Sequence, residues 1–285
     1  MDNRITIYEV GPRDGLQNEP RPIPTPRKIA LVDLLSGCGF GHVEVASFVN
    51  PKLVPQMADG AAVLAKIARR PGVVYAALVP NLKGYAAARA ARADEVAIFA
   101  SASESFSQRN INCSIAESLA RFAPVAEAAA VDGVSLRGYV SCVTDCPFEG
   151  AVAPRSVANV AERLFALGCR EVSLGDTIGH ATPDSVERML RAVLETSPAE
   201  RLAGHFHDTR GRALENIEAA LGAGVRVFDA SAGGLGGCPF APGAQGNVAT
   251  ERVVARLEAL GYATGIDPAR LAEAAAFARG LRSRV

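Results

Sequence analysis

The sequence predicts an α/β fold, a single (β/α)8 TIM barrel over residues 1–285 with an additional C-terminal helix. Eight short β-branched segments alternate with eight longer helical segments from end to end. No linker or long insertion divides the chain, and its 285 residues are close to the roughly 250 typical of such a barrel. A doubly wound open sheet is the competing architecture, but no GxGxxG follows the first strand.

Each predicted strand is a short β-branched or aromatic run bounded by turn-forming residues. In chain order, the eight predicted strands are residues 5–10, 42–46, 73–79, 95–100, 135–143, 171–174, 203–207 and 225–229. The stretches between them have the length and the apolar spacing of helices. The eight predicted helices are residues 27–36, 56–69, 82–90, 114–130, 155–167, 183–195, 212–223 and 247–260. The additional helix is predicted over residues 268–281.

Capping residues support several of these helix boundaries. Thr25-Pro26 and Thr182-Pro183 each place a proline in the first turn, directly after a hydroxyl that can cap the helix. Gly168 follows the end of another predicted helix, as a C-terminal glycine often does.

The composition excludes several classes of protein. Lys plus Arg and Asp plus Glu both number 30, so the chain lacks the positive charge of a nucleic-acid or polybasic membrane protein. Aromatic residues make up 6% and Trp is absent, which argues against base stacking. A hydrophobic content of 49% excludes disorder. The six cysteines form no CxxC pair, so reduced thiols are expected. The sequence contains no targeting or membrane-spanning pattern, and we expect a cytoplasmic protein of bacterial origin.

A candidate metal site lies where the predicted strands end, which is where barrel enzymes carry their chemistry. His205 and His207 are two apart at the end of a strand, so both imidazoles point to the same face. Asp14 follows the first strand, and Asn247 follows the eighth. Two imidazoles with a carboxylate and an amide oxygen form a divalent-metal site. The alternative is that the two histidines are core residues bonded to the backbone.

Arg13 and Glu44 form a second candidate feature. Arg13 and Asp14 lie in a tight turn between Gly-Pro and Gly, where a guanidinium can offer a rigid fork of donors to an enolate or carboxylate oxygen. Glu44 stands in an apolar strand, and a buried carboxylate needs a partner. We expect Arg13 to be that partner.

Cys238 lies in a loop with four glycines before it and a proline after it. Glycines allow close backbone approach or the movement of a lid. The loop lacks the GK[ST] that completes a phosphate-binding loop. A thiol in such a loop at the active face is expected to be exposed and functional, whereas the commoner alternative is a buried structural cysteine.

Taken together, these motifs resemble the 3-hydroxy-3-methylglutaryl-CoA lyase family over almost the whole chain. The segments that carry the resemblance are VGPRDGLQNE at 10–19, VEVASFVNPKLVPQMAD at 43–59, PNLKGYAAA at 80–88, NINCSI at 110–115, RGYVSCV at 137–143, SLGDTIG at 173–179, HFHDTRG at 205–211 and GGLGGCPFAPGAQGNVATE at 233–251. The Gly-rich Cys loop is specific to this group. RDG and HxH are shared with isopropylmalate synthases and hydroxy-oxovalerate aldolases.

The resemblance implies cleavage of 3-hydroxy-3-methylglutaryl-CoA to acetoacetate and acetyl-CoA, a reaction of leucine degradation and ketone-body formation. It implies that the metal ligands are Asp14, His205, His207 and Asn247. Such mixed nitrogen and oxygen ligands fit Mg²⁺ or Mn²⁺ best, and the imidazoles leave Zn²⁺ or Co²⁺ open. The implied partners are an acyl-CoA substrate and a second copy in a homodimer, with neither nucleic acid nor membrane.

The same resemblance implies roles for individual residues. Arg13 stabilises the enolate oxygen of the departing acetyl-CoA, and Cys238 is a catalytic residue of the lid loop. Asp176 is a catalytic or substrate-ordering group, and either it or His205 acts as the base. Glu44 and Glu251 are implied as supporting residues. The predicted substrate-binding residues are Arg13, Gln17, Ser47 and Ser173, and the loops expected to contact CoA are residues 50–52, 81–84 and 109–112.

Three departures from the family pattern leave room for another substrate. They are His180, Arg210 and the lead-in at residues 231–234, and they allow a lyase for a related 3-hydroxy-3-alkylglutaryl-CoA. A Claisen-type synthase or aldolase on the same scaffold is a further alternative, which the Cys loop argues against. The last alternative is a non-catalytic barrel that binds CoA or a metal, and the presence of Arg13 and Cys238 argues against it.

Overall fold

Eight parallel strands close into one barrel in the computed structural model, which describes residues 3–237 and 246–282. Strands β6 (Asp145–Cys146) and β7 (Gly150–Ala151) form a separate hairpin. The barrel strands are β1 (Thr6–Glu9), β2 (His42–Ser47), β3 (Val74–Leu78), β4 (Glu95–Ser101), β5 (Ser135–Ser141), β8 (Glu171–Asp176), β9 (Leu202–Phe206) and β10 (Val227–Ala230). They follow one another around the barrel in chain order, and β10 pairs in parallel with β1 to close it. The predicted barrel is confirmed.

Ten α-helices surround the barrel within the described ranges. They are α1 (Thr25–Ser36), α2 (Gly60–Lys66), α3 (Leu82–Ala90), α4 (Glu104–Ile111), α5 (Ile115–Val131), α6 (Pro154–Ala166), α7 (Pro183–Val193), α8 (Ala213–Gly222), α9 (Thr250–Ala259) and α10 (Pro268–Arg279). The predicted additional helix is α10, which packs against α1 and α9. Across the same ranges, none of the helices has the length and apolar character to cross a membrane.

Two elements were not predicted from the sequence. Helix α4 is short and polar, and it begins because the Ser103 hydroxyl accepts a hydrogen bond from the Phe106 amide. It ends at Asn112, which adopts a left-handed conformation with φ of 50°. A small antiparallel hairpin, β6 (Asp145–Cys146) with β7 (Gly150–Ala151), follows β5. The predicted fifth strand is therefore shorter than expected, since the chain turns after Ser141 into this hairpin.

Two predicted helices start or end at the wrong residue because distant groups take over their backbone. The helix predicted over 56–69 is a short turn at Pro55–Met57 followed by α2, and the amide of Ala68 donates to the carboxylate of Asp33 instead of a helical carbonyl. The helix predicted from 247 begins only at Thr250. Before it, Asn247 bridges to His207 and Ala249 to Ser231, so the chain stays extended beside the barrel.

A buried layer of charges lies inside the barrel below the strand ends. The guanidinium of Arg137 is completely buried, 2.7 Å from Asp229 and 2.8 Å from Glu171. Its carbon lies 4.0 Å from the centre of the Tyr8 ring. A buried charge is tolerated when it is paired and hydrogen-bonded, so this layer forms a fixed polar floor beneath the residues of the barrel mouth.

Gly204 lies next to His205 in β9, and its missing side chain makes room for two aromatic rings of the core. A Cβ at this position would lie 2.7 Å from Phe206 Cε2 and 3.1 Å from Phe228 Cδ1. Gly204→Ala should therefore lower the free energy of unfolding by about 1–3 kcal/mol, the usual cost of overpacking. Gly222→Ala is the matched control, because Gly222 is helical with nothing within 4 Å, and it should stabilise by about 0.4–1 kcal/mol. Urea unfolding measures both, and equal effects would contradict the packing argument.

Candidate active site

Asp14, His205 and His207 meet at the carboxyl end of the barrel. One ligating atom from each residue lies within 4.8 Å of the others. The Nε2 atoms of the two imidazoles are 3.3 Å apart, and Asp14 Oδ2 is 4.0 Å from His205 Nε2. Both imidazoles therefore face one point, and the donor set of one carboxylate and two imidazoles fits a divalent metal.

Local structure places Asp14 there. Gly11–Gly15 form one wide, π-helical turn after β1, in which the amides of Arg13, Asp14 and Gly15 all donate to the Val10 carbonyl. The turn begins at Gly11, where a Cβ would lie 2.5 Å from an oxygen of Glu9. The turn thus presents the Arg13 and Asp14 side chains at the barrel mouth.

Asn247 adjoins the cluster. Its side-chain nitrogen donates to Asp14 Oδ2 at 2.7 Å and to the Leu235 carbonyl at 3.3 Å. Its backbone bridges to His207. The predicted role as an oxygen ligand requires the amide to turn its oxygen toward the cluster, a rotation that exchanges donor for acceptor.

Arg13 is held between two carboxylates. Its Nε and Nη2 lie 2.7 and 2.6 Å from Glu44 Oε2, and its Nη1 lies 2.6 Å from Asp14 Oδ1. The expected pairing of Arg13 with Glu44 is confirmed. A guanidinium has five N–H groups and these contacts use three, so one N–H on each terminal nitrogen is left for a substrate oxygen.

These contacts set the charges of the site. Burial raises the pKa of Asp14, but the charges of Arg13 and the two imidazoles outweigh burial and lower this pKa to about 2. Burial raises the pKa of Glu44, and Arg13 opposes that rise. Within the described residues, Glu44 Oε1 is buried and has no hydrogen-bond partner. The cluster thus carries a firmly ionised Asp14 next to a paired, buried arginine.

Tyr139 belongs to this site and was not singled out from the sequence. Its hydroxyl donates to Glu44 Oε2 at 3.2 Å, and its ring lies 5.5 Å from the Arg13 guanidinium carbon. It also makes an edge contact with the His205 ring, with centroids 6.3 Å apart. The available signal was its two-residue spacing from Arg137 on one strand, which puts both side chains on the inner face.

Asp176 and Glu251 lie outside the cluster and bond to loop backbone. Asp176 accepts hydrogen bonds from the amides of His180 at 3.1 Å and Ala181 at 3.0 Å. Burial raises the pKa of Asp176 to about 6, although these amides oppose the rise. Glu251 accepts from the Gly233 amide at 3.0 Å and pairs with Arg279, so it anchors the start of the glycine-rich loop.

The other predicted residues are distributed around the mouth. Ser173 is completely buried, and its hydroxyl donates to Asp229 at 2.7 Å, below the cluster rather than at an open surface. Gln17 is half-buried just after the Arg13 turn. Ser47 ends β2 and has a buried hydroxyl without a hydrogen-bond partner in the described chain. Cys238 lies outside the described residues, so its exposure and reactivity stay predictions.

A groove of about 490 Å³ opens between the loops that follow β2 and β3. Two of the three loops expected to contact CoA line it, together with the unpartnered hydroxyl of Ser47. Their lining residues are Asn50, Pro51, Asn81, Lys83 and Gly84. The third loop does not line this groove, and its Arg109 lies over the Phe148 ring, 4.5 Å from the centroid.

The fold and this site together define a class of protein. A (β/α)8 barrel with a carboxylate, two imidazoles and a paired arginine converging at the carboxyl ends of its strands is a metal-dependent barrel enzyme.

Comparison with known proteins gives the family. The HMGL-like family model matches residues 4–278. The chain is 57% identical to the 3-hydroxy-3-isohexenylglutaryl-CoA/hydroxy-methylglutaryl-CoA lyase of Pseudomonas aeruginosa, over 96% of this chain and 91% of that protein. It is 56% identical to the mitochondrial hydroxymethylglutaryl-CoA lyase of Bos taurus, over 96% and 84%. The crystal structure of the HMG-CoA lyase from Brucella melitensis superposes with a TM-score of 0.97 and 59% identity, covering 98% of this chain and 99% of that one. The chain belongs to the HMGL-like family, and it is a carbon–carbon lyase.

Proposed function

We propose that the protein cleaves 3-hydroxy-3-methylglutaryl-CoA, the substrate in the names of its relatives from Bos taurus and Brucella melitensis, into acetoacetate and acetyl-CoA. The observation that carries the proposal is the position of Arg13, fixed by Glu44 and Asp14 at the edge of the Asp14, His205 and His207 cluster. This arrangement joins a cation site to a donor for a developing enolate, which are the two things that the cleavage needs.

We propose Mg²⁺ or Mn²⁺ as the metal, with Asp14, His205, His207 and Asn247 as the residues that hold it. The carboxylate and amide oxygens suit these ions, and the imidazoles extend the range to other divalent metals. When bound, such an ion supplies Lewis acidity, which lowers the pKa of an alcohol placed against it.

Individual residues of the chain are proposed to carry out the proton transfers and to stabilise the developing charge. Asp176, or a water that it orders, is the proposed acceptor for the proton of the tertiary alcohol, and its raised pKa of about 6 suits that role. His205 is the weaker candidate, because Nε2 faces the proposed metal and Nδ1 donates to Asp229. Loss of that proton lets the C2–C3 bond break, so that acetoacetate forms and the electron pair passes to the thioester enolate. The two remaining N–H groups of Arg13 stabilise the enolate oxygen. The enolate carbon finally takes a proton to give acetyl-CoA, and Cys238 is the proposed donor.

We propose that the groove between the β2 and β3 loops receives the CoA portion of the substrate. Ser47 lines the groove with a buried hydroxyl that lacks a hydrogen-bond partner in the described chain, and the exposed Lys83 offers a positive charge for a phosphate. An extended thioester in this groove would place its acyl end toward Arg13, since β1 and β2 are neighbours.

Charge reversal in the groove tests this placement. Lys83→Glu replaces attraction for a CoA phosphate with repulsion, so KM for the acyl-CoA should rise on the order of tenfold, or about 1.4 kcal/mol of binding. The value of kcat should be unchanged, because this contact is the same in ground and transition states. Lys66→Glu, on an exposed lysine at the end of α2, is the control and should leave both constants alone. Equal KM values in the two variants would show that the groove does not bind the CoA portion of the substrate.

A second substrate is proposed because the Pseudomonas aeruginosa relative carries two activities in its name. A 3-hydroxy-3-isohexenylglutaryl-CoA differs only in the alkyl group at the carbon that bears the alcohol, so the same residues serve both cleavages. Comparing kcat/KM for the two thioesters decides which substrate the protein prefers.

Product analysis tests the proposed reaction. The protein is incubated with 3-hydroxy-3-methylglutaryl-CoA and Mg²⁺ or Mn²⁺, and the products are separated by mass spectrometry. Equal amounts of acetoacetate and acetyl-CoA are expected. Release of free CoA without acetoacetate would indicate thioester hydrolysis and contradict the proposal. The homodimer and the cytoplasmic location stay predictions.

A further inference from the structure

Asp229 stands directly behind the imidazole of His205. It lies on β10, in register with His205 on β9, and its side chain is buried inside the barrel. Its Oδ2 is 3.0 Å from His205 Nδ1, the nitrogen that faces away from His207 and Asp14. An ionised carboxylate only accepts hydrogen bonds, so it holds the imidazole hydrogen at Nδ1 and leaves the Nε2 lone pair facing the cluster.

Asp229 is itself fixed by two buried donors. Arg137 approaches it with Nη2 at 2.7 Å from Oδ1 and Nη1 at 3.3 Å from Oδ2. Ser173 donates its hydroxyl to Oδ2 at 2.7 Å. The carboxylate therefore has no freedom to rotate away from His205, and its charge is balanced inside the barrel.

We propose that Asp229 is the positioning residue of the site: it fixes the tautomer and ring orientation of His205, while Arg137 and Ser173 fix Asp229. The inference rests on the metal site of the proposed function. It assigns to the buried charge layer a purpose beyond packing, because a ligand imidazole held by a carboxylate is presented to a metal in a single tautomer.

Asp229→Asn tests this role with little change in volume. Arg137 Nη2 requires an acceptor at the Oδ1 position, so the new amide should keep its oxygen there. Its NH₂ then takes the Oδ2 position, where it faces His205 Nδ1 and the Ser173 hydroxyl, and that hydroxyl can rotate to accept. His205 must then accept at Nδ1 and carry its hydrogen on Nε2, which removes the lone pair from the cluster. The dissociation constant for Mn²⁺, measured by electron paramagnetic resonance, should rise about 10- to 100-fold.

The tautomer itself is the readout that a merely structural role would not move. Two-bond ¹H–¹⁵N spectra of the metal-free protein are recorded at alkaline pH, where the imidazole is neutral, and are assigned with single His-to-Gln variants. They should show His205 with hydrogen on Nδ1 in the unaltered protein and on Nε2 in Asp229→Asn. Glu171→Gln is the matched control, because it breaks the other ion pair of Arg137 without touching Asp229. It should leave the tautomer and the Mn²⁺ dissociation constant unchanged.

Several results would overturn the inference. They are an Nε2–H tautomer of His205 in the unaltered protein, an unchanged Mn²⁺ dissociation constant in Asp229→Asn, and equal losses in Asp229→Asn and Glu171→Gln. If Asp229→Asn does not fold, two other measurements test the inference. They are the tautomer of His205 in the unaltered protein and the Mn²⁺ affinity of Ser173→Ala, which should weaken a few-fold. Neither readout requires turnover, so failure to cleave the proposed thioester leaves this test intact.

Discussion

Replacing Arg13 with Gln is expected to lower kcat by about 10²–10⁴-fold, the usual effect of removing one donor to a developing oxyanion. Arg13 has two N–H groups left for the substrate, and they act on a charge that exists only in the transition state. The value of KM should therefore change far less than kcat. Steady-state kinetics measures both constants.

Two comparisons separate this role from a loss of structure. The Mn²⁺ affinity of Arg13→Gln should stay within a few-fold of the unaltered protein, because Arg13 contacts Asp14 but is not a ligand. Arg13→Lys keeps the charge and loses the fork of donors, so its kcat should lie between that of Arg13→Gln and that of the unaltered protein. A near-normal kcat in Arg13→Gln would remove Arg13 from the chemistry.

Replacing His207 with Gln is expected to abolish turnover together with metal binding. His207 is one of three side chains that converge on the proposed ion. Losing a ligand should weaken Mn²⁺ binding by more than about 100-fold, since removal of a group behind a ligand already costs roughly 10- to 100-fold. Titration with Mn²⁺ followed by electron paramagnetic resonance, and turnover at saturating metal, measure the two effects.

His42→Gln is the matched control for this change. His42 begins β2 at the opposite end of the barrel, where it stacks on Tyr8 with ring centroids 5.1 Å apart. Its replacement should leave the Mn²⁺ affinity unchanged. If both variants lose the metal alike, the effect comes from the barrel as a whole, and the assignment of His207 fails.

The sequence predicted the barrel and the centre of the site because both depend on simple periodicity. Alternation of strands and helices predicts the architecture, and the spacing of two residues brings His205 and His207 to one face. The pairing of Arg13 with Glu44 followed from the cost of burying a lone carboxylate.

What the sequence did not predict depends on contacts between distant residues. The end of α2 is set by Asp33, which takes the amide of Ala68. Tyr139 resembles any core aromatic residue until the barrel closes and puts it against Arg13 and His205. Ser173 was expected to bind substrate, but the structure commits its hydroxyl to Asp229.

Asp14, His205 and His207 are proposed to hold one catalytic cation next to Arg13. Anomalous diffraction from crystals grown with Mn²⁺ and an acyl-CoA locates that cation. One strong peak is expected at roughly 2.0–2.3 Å from a carboxylate oxygen of Asp14 and from Nε2 of both imidazoles. A fully occupied Mn²⁺ at any other position, with these three side chains still bonded only to protein, would contradict it.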